Sequence, residues 1–420
     1  MSSGAPLGLI SRRAGTERKE HEMSTPQDGG GLSRVRLSRM REVLAGAVER
    51  GDVPGLVALV HRCGETHVVA LGATAFGGDT PMRRDAIFRI ASMTKPVTAV
   101  AAMILVEECR LRLDAPVDEL LPELADRRVL RRIDGPLDDT VPAERPITLR
   151  DLLTFRLGIG VVLASPERYP IQRAMTEAGL APGPDAPPFG PDEWIRRLGR
   201  LPLVHQPGAA WMYHTGSDVL GVLIARAAGQ PFEEFLRERL FDPLGMKDTG
   251  FHVPAEKLDR LPESYATDPA TGTLVHRTDP RNRPPAFPSG GGGLVSTADD
   301  YLAFCRMLLH KGRYDGGRVL SRPAVELMTT DHLTSAQKAG NEIFFGSGGW
   351  GFGVAVNARR DDLATRPGRF GWSGGLGTDA YTDPTEHMVG VLLTQRALAS
   401  PQPPRVFQEF WALAYAAIDG

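Results

Sequence analysis

Apolar and polar residues are patterned differently at the two ends of this chain than in its middle. From Leu32 to Arg50 the apolar residues recur at helical spacing along one side, which predicts an amphipathic helix. Gly55 to Arg62 and Thr66 to Gly72 are short apolar runs separated by Cys63-Gly64-Glu65, and they predict two strands joined by a turn. Strand-like runs return only late, at Trp350 to Val356, Arg369 to Trp372, Leu376 to Thr382 and Met388 to Gln395, ahead of a terminal helix over Arg405 to Ile418. Pro96 to Val106 is apolar almost all round, the pattern of a helix sunk in a core, with Pro96 near its start. A further N-capped helix runs to about Ala228 after the turn at Gln206-Pro207-Gly208. Two long Pro- and Gly-rich stretches, Gly158 to Leu201 and His252 to Ser289, read as irregular segments: lids, binding loops or surface excursions, the first a candidate to shape a pocket.

The buried helix acquires a chemical meaning from what precedes it. Ser92-Met93-Thr94-Lys95 sets a serine and a lysine three residues apart, hence on one helix face, at a helix N-terminus that offers backbone N–H groups and partial positive charge. A lysine buried under apolar neighbours is pushed toward its neutral form and can then accept the serine proton. The pattern points to acyl transfer. The same spacing recurs at Ser335-Ala336-Gln337-Lys338, but without an apolar helix behind it, and that copy reads as a polar loop or helix end.

The order of three motifs resembles serine β-lactamases, penicillin-binding proteins and related esterases. Ser92-x-x-Lys95 comes first, then Tyr213 in a Tyr-x-Asn-like position, then the Gly-rich run Trp372-Ser373-Gly374-Gly375 near the C-terminus. Surrounding phrases are similar to the class C-like esterase branch, the family VIII carboxylesterases: Leu113-Asp114-Ala115-Pro116-Val117, Ile147 to Thr154, Phe241 to Met246 and Gly291 to Thr297. The resemblance spans about residues 35 to 418. It implies an α/β (α+β) fold of the β-lactamase/transpeptidase kind, a central antiparallel sheet flanked by helices and built from both chain ends, plus a mostly helical region. The expected division is a flexible segment over 1–31, a sheet unit of 32–115 with 290–420, and a helical unit of 116–289 with loop insertions.

The same resemblance assigns roles. Ser92 is the nucleophile, and Lys95 and Tyr213 share the base function. The backbone N–H groups of Ser92 and Gly375 form the oxyanion hole, and Trp372 and Thr215 contact substrate. Two departures bear on substrate. Trp372 stands where penicillin-recognising enzymes carry the lysine that holds the drug carboxylate, and Thr215 stands where many relatives have Asn. An indole offers an apolar face and one N–H but no charge, which favours small neutral esters. A carboxylesterase with a capacity for acyl transfer is therefore expected, ahead of a β-lactamase or D-amino-acid-specific peptidase and of a non-catalytic binding protein on the same scaffold. No metal or organic cofactor is called for.

Gly371-Trp372-Ser373-Gly374-Gly375 also matches the Gly-x-Ser-x-Gly elbow of α/β-hydrolases, which would make Ser373 the nucleophile. His387 is the sole histidine after it, and too little chain remains for the rest of that fold. At 420 residues and net charge −2 the chain shows no basic patch, which argues against a nucleic-acid partner. Its three cysteines, Cys63, Cys109 and Cys305, form neither a disulfide framework nor a zinc pattern. With no signal-like or membrane-spanning apolar run, a cytoplasmic location and no membrane partner are expected.

Overall fold

The computed structural model describes residues 31–164, 167–183, 185–278 and 281–419. The expected flexible leader over 1–31 falls, Gly31 apart, outside the described residues. Seven strands form one antiparallel sheet: β1 (Gly55–Arg62), β2 (Glu65–Gly72), β3 (Gly349–Trp350), β4 (Ala355–Val356), β5 (Phe370–Gly374), β6 (Thr378–Asp383) and β7 (Met388–Thr394), in the spatial order β3-β4-β5-β6-β7-β1-β2. The join between the two ends of the chain is central, β1 pairing β7 with Leu59 opposite Val391.

All eight residues of β1 are buried. Strand side chains alternate between faces, so β1 feeds two cores. Leu56, Ala58 and Val60 pack with Leu37, Met40 and Leu44 of α1 (Arg34–Glu49) and with Phe407 and Phe410 of the terminal helix. Val57 and Leu59 face the other way, onto the core that holds α2 (Thr94–Glu107). Burial on both faces explains why β1 reads as a continuous apolar run rather than an alternating one.

Every residue of α2 from Thr94 to Leu105 is buried. At about 1.5–3 kcal/mol for each buried Val, Ile, Leu or Met side chain, its apolar residues can bear the cost of one buried lysine. Beside it lies α3 (Thr215–Ala228), closed by Gly229 at φ +68, the left-handed cap that glycine adopts without strain. Gly290 passes close to both helices. Its carbonyl accepts from the Thr98 hydroxyl at 2.8 Å, and a Cβ on it would lie 2.3 Å from the Ser217 carbonyl.

The structure changes several sequence expectations. Trp350 to Val356 is two short strands rather than one, because Gly353 at φ +71 and a Gly351 N–H bond to the Val354 carbonyl turn the chain back on itself. The strand expected from Leu376 begins at Thr378, since Gly377 at φ +98 is part of the preceding turn. Gly158 to Leu201 holds two helices, Pro170–Glu177 and Pro191–Arg200, each with proline in its first turn, where the missing N–H costs nothing. The second Ser-x-x-Lys, by contrast, is the polar helix end expected of it: a single helical turn, Ser335–Lys338, with Lys338 bonded to Asp331.

Candidate active site

Ser92 sits in a helical turn, Ala91–Met93, that leads into α2. Ala91 adopts φ +44, a left-handed conformation uncommon for a residue with a Cβ. Several bonds hold this turn. The Ile90 N–H donates to the Leu294 carbonyl at 3.1 Å, the Thr378 hydroxyl of β6 donates to the Ile90 carbonyl at 3.1 Å, and Tyr301 donates to the Met93 carbonyl at 2.9 Å. Strain of this kind persists where surrounding contacts over-determine the conformation, a recurrent property of reactive turns.

Lys95, on the first turn of α2, has no exposed surface. Its Nζ lies 3.0 Å from Ser92 Oγ and 3.1 Å from His214 Nδ1, and it donates to the Gly291 carbonyl. Burial lowers its pKa from 10.5 to about 7, although the nearby Asp218 charge pulls it back up. The amine is therefore neutral in a large fraction of molecules near pH 7.

Tyr213 meets this pair from the segment before α3. Its ring centroid lies 4.5 Å from Lys95 Nζ, and its hydroxyl accepts from Trp372 Nε1 at 2.5 Å and bonds Ser92. Burial raises the phenol well above its ordinary pKa, outweighing the bonds from Ser92 and Trp372 that favour phenolate. Tyr213 accordingly keeps its proton while Lys95 sheds one. The structure thus brings together Ser92, Lys95, Tyr213 and Trp372.

His214 and Asp218 were not singled out from the sequence. His214 Nε2 lies 3.1 Å from Asp218 Oδ2, and the other carboxylate oxygen accepts from Ser289 Oγ at 2.6 Å and from the Gly291 N–H at 2.9 Å. Burial and the Lys95 charge lower the His214 pKa against the pull of Asp218. Burial also pushes the Asp218 carboxyl up, but His214, Ser289 and Lys95 outweigh it and leave it below its ordinary value. The available signal was a histidine directly after the motif tyrosine with an aspartate four residues on, one helical turn away.

Thr215 is buried at the first position of α3, and its N–H donates to the Tyr213 carbonyl at 3.3 Å. The side chains that reach Lys95 Nζ from this segment are those of Tyr213 and His214. Gly375 lies in the exposed turn after β5, its carbonyl accepting from Leu398 at 2.9 Å. An aromatic wall completes the site. Tyr213, Trp211 and Phe344 form a mutually packed trio, with the Tyr213 centroid 5.5 and 5.1 Å from the other two and those two 5.2 Å apart, and Trp350 meets Trp372 edge-on at 4.7 Å. Phe344 comes from the helical turn Glu342–Phe345, which the Asn341 amide ties to the Trp211 carbonyl at 3.1 Å. The Gly158 stretch also touches the site, through the Val161 N–H on the Tyr213 carbonyl at 2.9 Å.

The rival serine has a carboxyl partner but not the histidine that the α/β-hydrolase elbow requires. Ser373 Oγ donates to Asp379 at 2.5 Å, and burial raises that carboxyl to about 6 against the bonds from Ser373 and Trp411 and the charge of Arg369. His387 lies in the turn at the far end of β6, beyond the Asp383–Met388 pair, whereas Ser373 pairs with Asp379 near its start. At about 3.3 Å per residue the two are more than ~10 Å apart. Among the described residues, no group of three or more His, Cys, Asp or Glu side chains is arranged to hold a metal ion, and no helix is long and apolar enough to cross a membrane.

Comparison with known proteins places this geometry. The Beta-lactamase family profile matches residues 40–407. The Mycobacterium tuberculosis protein Rv1367c is 42% identical over 77% of this chain and 81% of its own length. Esterase EstB of Burkholderia gladioli is 31% identical over 87% of this chain and 92% of its own. Among solved structures, EstCE1, described as a hydrolase with promiscuous acyltransferase activity, superposes with a TM-score of 0.76 at 25% identity, covering 91% of this chain and 99% of its own. The chain belongs to the Beta-lactamase family, within the branch that holds esterases and acyltransferases, and is a serine hydrolase.

Proposed function

We propose that this protein is a carboxylesterase acting on small neutral esters through an acyl-enzyme on Ser92. The observation that carries the reading is Lys95, fully buried with its Nζ 3.0 Å from Ser92 Oγ. Neutral Lys95 takes the Ser92 proton as Oγ bonds the ester carbonyl carbon. Tyr213, protonated and in contact with Ser92, then passes a proton to the departing alkoxide and is recharged from the Lys95 ammonium. Backbone N–H groups of Ser92 and Gly375 receive the oxyanion, each such donor contributing about two to three powers of ten in rate.

Neutral substrates follow from the walls. Trp372, Phe344 and Tyr213 present ring faces and edges, and the indole N–H of Trp372 is already given to Tyr213. The ester and transferase names among the relatives support this reading over β-lactam cleavage. Transfer to an alcohol is a second outcome of the same acyl-enzyme, supported by the acyltransferase activity ascribed to EstCE1. Thr215, expected from its motif position to contact substrate, is buried at the start of α3, and we assign it instead to shaping the turn before that helix. We also propose 32–115 with 290–420, and 116–289, as the two structural units, and a cytoplasmic location in keeping with three unpaired cysteines.

The test is hydrolysis of p-nitrophenyl acetate, butyrate and octanoate beside nitrocefin, by the wild type, Ser92→Ala and Ser373→Ala. Ester turnover should fall at least about 10³-fold in Ser92→Ala and persist in Ser373→Ala. Rapid nitrocefin turnover by the wild type would overturn the substrate assignment. Added methanol or butanol, with the new ester detected by mass spectrometry, separates transfer from hydrolysis.

A further inference from the structure

Lys95 Nζ has three polar neighbours, and only one of them is the nucleophile. A neutral amine has two N–H bonds and one lone pair. Acceptors fixed at two of its three directions leave the lone pair for the third. The Gly291 carbonyl is one such acceptor. His214 Nδ1, at 3.1 Å, is another if the ring carries its proton on Nε2, and Asp218 Oδ2 at 3.1 Å from Nε2 selects that tautomer.

We propose that His214 and Asp218 are positioning residues for acylation: with the Gly291 carbonyl they engage both N–H bonds of neutral Lys95, so that its lone pair faces the Ser92 hydroxyl. The inference rests on the reading of Ser92 as nucleophile.

Three further observations carry it. His214 lies at φ +83 and ψ −66, and the Thr215 N–H bonds the Tyr213 carbonyl at 3.3 Å across it, which makes it the centre of the rare, strained form of γ-turn. Successive side chains of an extended chain point to opposite sides, whereas this turn brings both Tyr213 and His214 onto Nζ. Asp218 is a buried carboxylate that bonds His214, Ser289 and the Gly291 N–H, an expensive arrangement if it served packing alone. Gly291 fits the same purpose, since a Cβ there would lie 2.9 Å from His214 Nε2 and 3.0 Å from Asp218 Oδ1.

The proton inventory balances. The Ser92 O–H bond breaks as Oγ bonds the ester carbon, and the proton forms a third N–H bond on Lys95. The resulting ammonium is balanced by Asp218 across His214. When the ester C–O bond breaks, a proton goes through Tyr213 to the leaving alkoxide and Lys95 is neutral again. The groups facing Lys95 are Ser92, Tyr213, His214 and the Gly291 carbonyl, and Asp218 is the charge that acts on it.

The test follows p-nitrophenyl butyrate hydrolysis and the rate of Ser92 labelling by a fluorophosphonate, from pH 5 to 9, in the wild type, His214→Leu, His214→Asn and Asp218→Asn. His214→Leu should lower kcat and labelling about 30- to 100-fold while KM stays within about threefold. His214→Asn, whose amide oxygen can accept near the Nδ1 position and which tolerates positive φ, should recover about tenfold of this. Asp218→Asn removes the anion that raises the Lys95 pKa, so the acid limb of the profile should move to lower pH by about half a unit or more while its plateau falls. A merely structural role of His214 would lower the melting temperature and give no recovery in His214→Asn. The proposal is overturned by His214→Leu labelling within about threefold of wild type, or by Asp218→Asn with an unmoved limb; the latter decides alone if His214→Leu does not fold. Absence of Ser92 labelling in the wild type would sink the nucleophile assignment itself, whereas normal labelling without ester turnover would sink only the substrate assignment.

Discussion

Lys95 behaves unlike a free lysine because nothing of it reaches water. Its base form grows as pH rises through about 7, so kcat/KM should climb across that value and level off above it, in contrast to a surface lysine that titrates near 10.5. Initial rates in overlapping buffers check this. Lys95→Arg should be inactive at every pH, since guanidinium does not deprotonate. Trp372→Phe keeps the ring but removes the N–H bonded to Tyr213, and should lower kcat about 5- to 10-fold with KM little changed, the worth of one hydrogen bond near 1 kcal/mol. Ser92, Lys95, Tyr213 and Trp372 were legible because each occupies a motif position. His214 and Asp218 were not, because a histidine and an aspartate one turn apart are ordinary on a solvated helix. What distinguishes them is a backbone angle and burial, and neither is written in residue type.

At the scale of elements, the site depends on how closely backbones approach α2. Gly353 is at φ +71, and a Cβ on it would lie 2.7 Å from Ala99 Cβ and 2.9 Å from the Lys95 carbonyl. Gly353→Ala should therefore displace the helix that carries the base. A loss of about 2–4 kcal/mol in denaturant unfolding, with reduced kcat, is expected. The turn Glu342–Phe345 bears on specificity instead, since it contributes Phe344 to the stack on Tyr213. Phe344→Ala should shift preference from acetate toward octanoate, measured as the ratio of kcat/KM for the two p-nitrophenyl esters. The terminal helix and the sheet strands were readable from periodicity. The helices inside Gly158 to Leu201 were hidden by prolines that signal helix starts as well as loops, and the β3–β4 turn by apolar residues flanking its glycines.

Over the whole molecule, the two ends of the chain build one sheet and the residues between them return the site to its face. The antiparallel sheet and the helical middle could be anticipated from where strand-like runs fall. The order of strands could not be read from the runs themselves, because pairing between distant segments leaves no local trace. The strand that holds the chemistry in register, β5 with Trp372, follows Ser92 by most of the chain.

That arrangement has a consequence for the protein while it is being made. The partner of β1 is β7, and Leu56 must wait for Thr394. At ribosomal speeds of about 5–20 residues per second, roughly 17 to 68 seconds separate the two. For most of that interval the nascent polypeptide carries its serine and lysine without the indole and the Gly375 turn, and β1, buried on both faces in the finished fold, without its β7 neighbour. On the proposed mechanism, ester hydrolysis therefore waits until β5 and its Trp372 have been made.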